Sequence, residues 1–128
     1  MAIKIEEKKP EIPVEIGPLK FAFVVTDESV LKFRKNGEEI QRELEKLELV
    51  EENDEKALEQ LRDVLRRGFD SFLGDGTFEK IYELTPAVIV LMNYYVQLVD
   101  GLHKEIEALG AYESVQKRAE KYIRKKRR

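Results

Sequence analysis

From Ile12 onward, apolar positions alternate with polar ones. Ile12, Val14 and Ile16 are separated by Pro13 and Glu15, and beyond Gly17-Pro18 the residues Leu19, Phe21 and Phe23 are separated by Lys20 and Ala22. A period of two on both sides of a short turn predicts a β-hairpin over 12–25 with one apolar face. Pro13 has no N–H, so its backbone suits the outward side of an edge strand. Two strands alone are marginal in water, so the apolar face must lie on helices or against another copy.

After Thr26 the period changes to that of a helix. Thr26 or Asp27 can cap a helix over about 28–50, with Asp27 and Glu28 near its positive end. Its stripe is Val30, Phe33, Ile40, Leu44 and Leu47, and Gly37 fills the slot between Phe33 and Ile40. One helix with close packing at Gly37 is favoured, at a cost of about 1 kcal/mol for the glycine, over two helices broken there. Asn53 or Asp54 caps a second helix, 54–73, whose stripe runs through Ala57, Leu58, Leu61, Val64, Leu65, Gly68, Phe69 and Phe72.

Gly74-Asp75-Gly76 then forms a turn, and Thr77 is the expected cap of a short helix, 78–83. Thr85-Pro86 reads as the next start, with Pro at the first helical position where its missing N–H costs nothing. That helix, about 86–109, is apolar on nearly every side between Val88 and Val99, which predicts the central helix of the fold. Gly110 reads as its end. Tyr112, Val115, Ala119, Tyr122 and Ile123 keep helical spacing and predict a last helix, 112–123, that docks on the core or projects from it. The pattern is mainly α: an N-terminal β-hairpin packed on a three- to four-helix bundle, one domain over 12–123, with a loose leader, 1–11, and a fraying basic tail, 124–128. No repeat of 20 to 50 residues is visible, and no heptad seam is long enough to require a coiled coil.

Composition narrows the chemistry. The chain has 128 residues and 15.0 kDa, enough for one core. Charged residues make up 38%, but the periodic apolar positions argue for a folded domain with charged surfaces. There is no Cys, which removes disulfides, thiolate nucleophiles and sulfur-based metal sites, and the single His103 cannot build a two-histidine metal site. No cofactor is expected. Met1–Lys9 lacks the apolar run of a signal peptide, and the longest apolar run, Ala87–Met92, is too short to span a bilayer, so a cytoplasmic protein without a membrane partner is expected. Charge is unevenly placed: between Glu38 and Glu59 ten acids face three bases, whereas between Lys117 and Arg128 eight bases face Glu120 alone.

Candidate catalytic groups are few. Gly74-Asp75-Gly76-Thr77 lacks the lysine and glycine spacing of a phosphate-binding loop and reads as a plain turn. His103 has no hydroxyl nucleophile placed beside it and reads as a surface histidine. Glu59, Asp63 and Asp70 share a helix with Arg62, Arg66 and Arg67 and read as ion-pair partners. Tyr94 and Tyr95 interrupt the apolar helix and suit the edge of the core or an interface. The cations Lys121, Arg124, Lys125, Lys126, Arg127 and Arg128 could meet a polyanion, with Tyr122 stacking on a base; an acidic protein surface, including that of another copy, is an equal target.

The stretch Ile12-Pro-Val-Glu-Ile-Gly-Pro-Leu-Lys-Phe-Ala-Phe-Val-Val, followed by Thr26-Asp-Glu-Ser and a charged helical body, resembles the small tail assembly chaperones of long-tailed phages and prophages of Gram-positive bacteria. The resemblance covers the chain in outline and carries no diagnostic motif or catalytic residue. It implies a non-enzymatic protein of the bacterial host's cytoplasm that coats the helical tape measure protein and keeps it soluble, often as a multimer. The family often makes a longer form by frameshifting, and Lys125-Lys126 is compatible with an adenine run. The expected contact surface is Ile12, Val14, Ile16, Leu19, Phe21 and Phe23 of the hairpin, with Tyr94 and Tyr95. A nucleic-acid-binding accessory protein acting through the basic tail, and a minor phage structural protein, are the alternatives.

Overall fold

A computed structural model describes residues 1–7, 10–47 and 55–126, with side chains as far as Leu109. It is mainly helical, about 70%, with a two-stranded antiparallel hairpin packed against four helices. The order is β1 (Glu11–Ile16), β2 (Leu19–Val24), α1 (Asp27–Leu47), α2 (Glu55–Leu73), α3 (Thr77–Leu84) and α4 (Val88–Lys126).

The hairpin closes through a two-residue loop that pairs Ile16 with Leu19. Gly17 sits at φ 57 and is followed by Pro18, whose ring holds φ negative, the sign pattern of a type II′ turn. Val14 lies opposite Phe21 and Ile12 opposite Phe23. The Val25 N–H donates to the Pro10 carbonyl at 2.9 Å, which fixes the ladder's alternation and leaves the backbone of Pro13 pointing outward, as its chemistry requires.

A reciprocal capping box starts α1. The Ser29 N–H donates to Thr26 Oγ1 (3.0 Å) while the Thr26 N–H donates to Ser29 Oγ (2.8 Å), satisfying two otherwise orphaned donors. The helix runs unbroken through Gly37 and buries Phe33, Ile40 and Leu44; the expected end at residue 50 lies outside the described residues. In α2 the stripe Val64, Leu65, Gly68, Phe69 and Phe72 is buried. Gly68 sits at a close approach: a Cβ there would lie 2.6 Å from Tyr95 Cε2 and 3.3 Å from Ile40 Cδ1, where α1, α2 and α4 converge. Phe23, Phe33, Phe72, Tyr95 and Phe69 form a chain of ring contacts, at centroid separations of 5.0 to 6.2 Å, that ties the hairpin to three helices.

Three local expectations are corrected. Thr77 does not cap α3: Gly76 occupies the N-cap, and the carboxylate of Asp70, one helix away, accepts the Phe78 N–H at 2.9 Å. Thr77 instead donates from Oγ1 to the Gly74 carbonyl at 2.7 Å. Thr85-Pro86 does not open α4: Thr85 is the C-cap of α3, its N–H donating to the Ile81 carbonyl (2.9 Å), and the first bond of α4 runs from the Leu91 N–H to the Ala87 carbonyl (3.0 Å), so α4 begins at Val88. Nor does α4 stop at Gly110. The expected helices 86–109 and 112–123 are one helix of 39 residues, about 58 Å long, that takes in the stretch expected to fray as far as Lys126. One interior glycine costs about 1 kcal/mol, too little to end a helix when the residues on both sides favour it.

Candidate functional site

The apolar face of the hairpin is spent on the core. Phe23 is 3% exposed and packs edge-on against Phe33, while Ile12, Val14, Ile16, Leu19 and Phe21 are half-buried against the same cluster. Tyr95 is likewise a core residue, 5% exposed, and burial pushes its phenol well above the usual tyrosine range. The expectation that Phe23 and Tyr95 present themselves to a partner does not match their burial in the folded chain: the hairpin needs Phe23 to hold itself on the helices. Four of the expected contact residues do come together. Ile12, Val14, Ile16 and Tyr94 line a groove between β1 and α4, with Leu98, Gly101 and Leu102 along its helical wall. Its charged residues are all acids, Glu11, Glu15 and Glu105.

A second groove lies on the opposite flank of α4, against α1. Its apolar lining is Leu44, Met92, Val96 and Val99, and Gly37 opens its wall, since a Cβ there would meet nothing within 4 Å. Its volume is about 380 Å³, its rim carries both Glu45 and His103, and a neighbouring hollow of about 470 Å³ extends it past Arg34, Glu38 and Arg42. The sequence concealed this groove. An all-round apolar stretch reads as a fully buried helix, yet among its described side chains α4 buries only Val88, Leu91, Tyr95, Leu98 and Leu102, and leaves Ile89 68% and Val96 54% exposed. Spacing gives the missing signal: Ile89, Met92, Val96 and Val99 recur by three and four, a second stripe beside the core stripe.

Polar candidates are placed as structural groups. His103 lies at the surface with Nε2 2.9 Å from Glu107 Oε1. Arg66 pairs with Asp63 (3.7 Å), and Arg67 reaches across to Glu43 on α1 (2.6 Å). Arg62 donates to the Tyr82 hydroxyl at 3.1 Å with its guanidinium over that ring. Among the described residues no group of three His, Cys, Asp or Glu could hold a metal ion, and no helix is long and apolar enough to cross a membrane. Lys121, Arg124, Lys125 and Lys126 follow one another on the last turns of α4, and Arg127 and Arg128 lie outside the described residues.

The profile of DUF6673, a family of unknown function, matches residues 18–128. The chain belongs to this family. The DUF6673 match begins inside the hairpin turn and covers all four helices, and so both α4 stripes; β1 precedes it. No curated protein and no solved structure matches the chain.

Proposed function

We propose that this protein is a non-enzymatic holder of a helical partner, and specifically a tail assembly chaperone that keeps the tape measure protein soluble in the cytoplasm of the bacterial host. The observation that carries the reading is the open α1–α4 groove, lined by half-buried Met92 and exposed Val96, with exposed Ile89 continuing the same stripe beyond it. A gap between two helices accepts a third amphipathic helix at i, i+3, i+4 and i+7 anchors. Met92, unbranched and polarisable, adapts to different apolar side chains along a long client. The mixed charges of the rim, Arg34, Glu38, Arg42 and Glu45, keep the occupied complex hydrated. The resemblance of the hairpin and the charged helical body to tail assembly chaperones supplies the client class.

The test is co-expression with the large helical protein encoded in the same operon, followed by pull-down and light scattering. Wild type is expected to yield a soluble complex, and Ile89→Asp with Val96→Asp to lose it while keeping native helicity, because both side chains are exposed. An insoluble, unbound client beside a wild-type protein that retains nucleic acid would replace this reading with the polyanion one.

A further inference from the structure

The continuity of α4 exposes a seam that a break at Gly110 would hide. From Leu98 the helix steps by three and four through Gly101, Glu105 and Ala108, and keeps that beat to Tyr112, Val115, Ala119 and Tyr122. Alternating steps of three and four define the a and d positions of a two-helix coil, and Gly110 falls outside them. The first part of the seam is the helical wall of the β1–α4 groove, which holds Leu98, Gly101 and Glu105. The second part continues past Leu102, the last buried residue among the described side chains, to a stretch, 117–126, bearing Lys117, Arg118, Lys121, Arg124, Lys125 and Lys126 against Glu120 alone. One end of the seam is thus lined with acids, Glu11, Glu15 and Glu105, and the other is basic.

We propose that two copies pair through antiparallel α4 seams, the basic C-terminal arm of each lying in the acid-lined β1–α4 groove of the other. Antiparallel coils set a positions opposite d positions. Aligning Tyr112 with Val115 of the second copy puts Ala108 opposite Ala119, Glu105 opposite Tyr122 and Gly101 opposite Lys126. Small residues meet small ones, so the helices approach closely, and a Cβ at Gly101 would meet nothing within 4 Å, which leaves room for the arm's last turn. A parallel pairing would instead run the two basic arms side by side and leave both acidic grooves empty. The contact is self-complementary about a two-fold axis and closes at two chains. It goes beyond the proposed client groove, which lies on the other flank of α4.

The mass of the full chain in solution, by sedimentation equilibrium, is expected to be about twice 15.0 kDa and to return to one chain when residues 117–128 are removed. Charge exchange gives the sharper test. A Glu11→Lys, Glu15→Lys, Glu105→Lys variant and a Lys121→Glu, Arg124→Glu, Lys125→Glu, Lys126→Glu variant are each expected to weaken pairing at least about tenfold, and an equimolar mixture to restore it, because both contacts of the mixed dimer regain opposite charges. Far-UV circular dichroism of each variant checks that the fold is intact. Since the chain has no Cys, Glu105→Cys mixed with Tyr122→Cys reports direction: antiparallel seams give the 105–122 cross-link. A wild type that stays at one chain mass, a mixture no tighter than its components, or cross-links only between identical positions would overturn the proposal.

Discussion

Gly68→Ala sets helix propensity against packing, and the structure says which wins. Position 68 is in the middle of α2, where alanine in place of glycine favours the helix by about 1 kcal/mol. The added Cβ, however, would stand 2.6 Å from Tyr95 Cε2, against about 3.5–4.0 Å for an unstrained carbon contact, and 3.3 Å from Ile40 Cδ1. Tyr95 cannot step aside, because its ring is held between Phe69 (5.7 Å, edge-on) and Phe72 (6.2 Å, stacked), and it is 5% exposed. A methylene forced into such a place costs about 1–3 kcal/mol, and an ångström of overlap with a fixed ring belongs at the upper end. After the propensity gain, a net loss of about 1–2 kcal/mol is expected. Urea denaturation followed by circular dichroism should show a lower midpoint with an unchanged slope, and the melting temperature should fall by roughly 4 °C per kcal/mol. Gly37→Ala is the control, since its Cβ would meet nothing and propensity acts alone: a gain of about 0.5–1 kcal/mol is expected. A Gly68→Ala protein as stable as Gly37→Ala would refute the convergence of α1, α2 and α4 at this residue.

Phe23→Asp should unfold the hairpin from the bundle and cost at least about 3 kcal/mol, because it buries a charge beside Phe33; a variant with wild-type stability and only a binding defect would return Phe23 to the surface. Thr26→Ala removes the acceptor of the Ser29 N–H and should lower stability by about 1 kcal/mol in chemical denaturation. The Tyr95 phenol is raised by burial in the folded chain, above its unfolded value of about 10, so its contribution is fully present below pH 10 and is lost as the pH climbs above that value, where only the unfolded chain ionises. Tyr95→Phe should flatten this alkaline loss in denaturation midpoints measured from pH 9 to 12, and an unchanged slope would place the tyrosine in water.

Where side-chain period and turn chemistry agree, structure could be read directly from sequence. The hairpin, its outward Pro13, the Thr26 cap and the stripes of α1 and α2 all rest on contacts within a few residues. What was not legible depends on distant partners. Thr77 is a sound cap by type, but Asp70 reaches the Phe78 N–H first, and only the packing of α2 on α3 makes that reach available. Thr85-Pro86 has the composition of a helix start, yet Thr85 closes the preceding helix and it is the Ala87 carbonyl that accepts the first bond of α4. In the candidate site the error had one root. Hydrophobicity says that a side chain prefers burial, not that enough protein exists to bury it, so Phe23 and Tyr95 lie inside while Ile89 and Val96 lie outside.

Helix α4 is also a gauge of length and phase. Its buried stripe, Val88 to Leu102, roots it in the bundle, and the 24 residues from His103 to Lys126 carry the same helix on for about 36 Å. Whatever attaches to the far end is set at a distance and an azimuth counted in residues, about 1.5 Å and 100° for each. Deleting seven residues from the outer half would draw an attached body in by about 10 Å while turning it only about 20°. Deleting two would shift it by about 3 Å yet swing it through about 160°, to the wrong side of the rod. Chains that share this helix can therefore tolerate changes of length in steps of seven, and point insertions or deletions there should be far more disruptive than substitutions at the same positions.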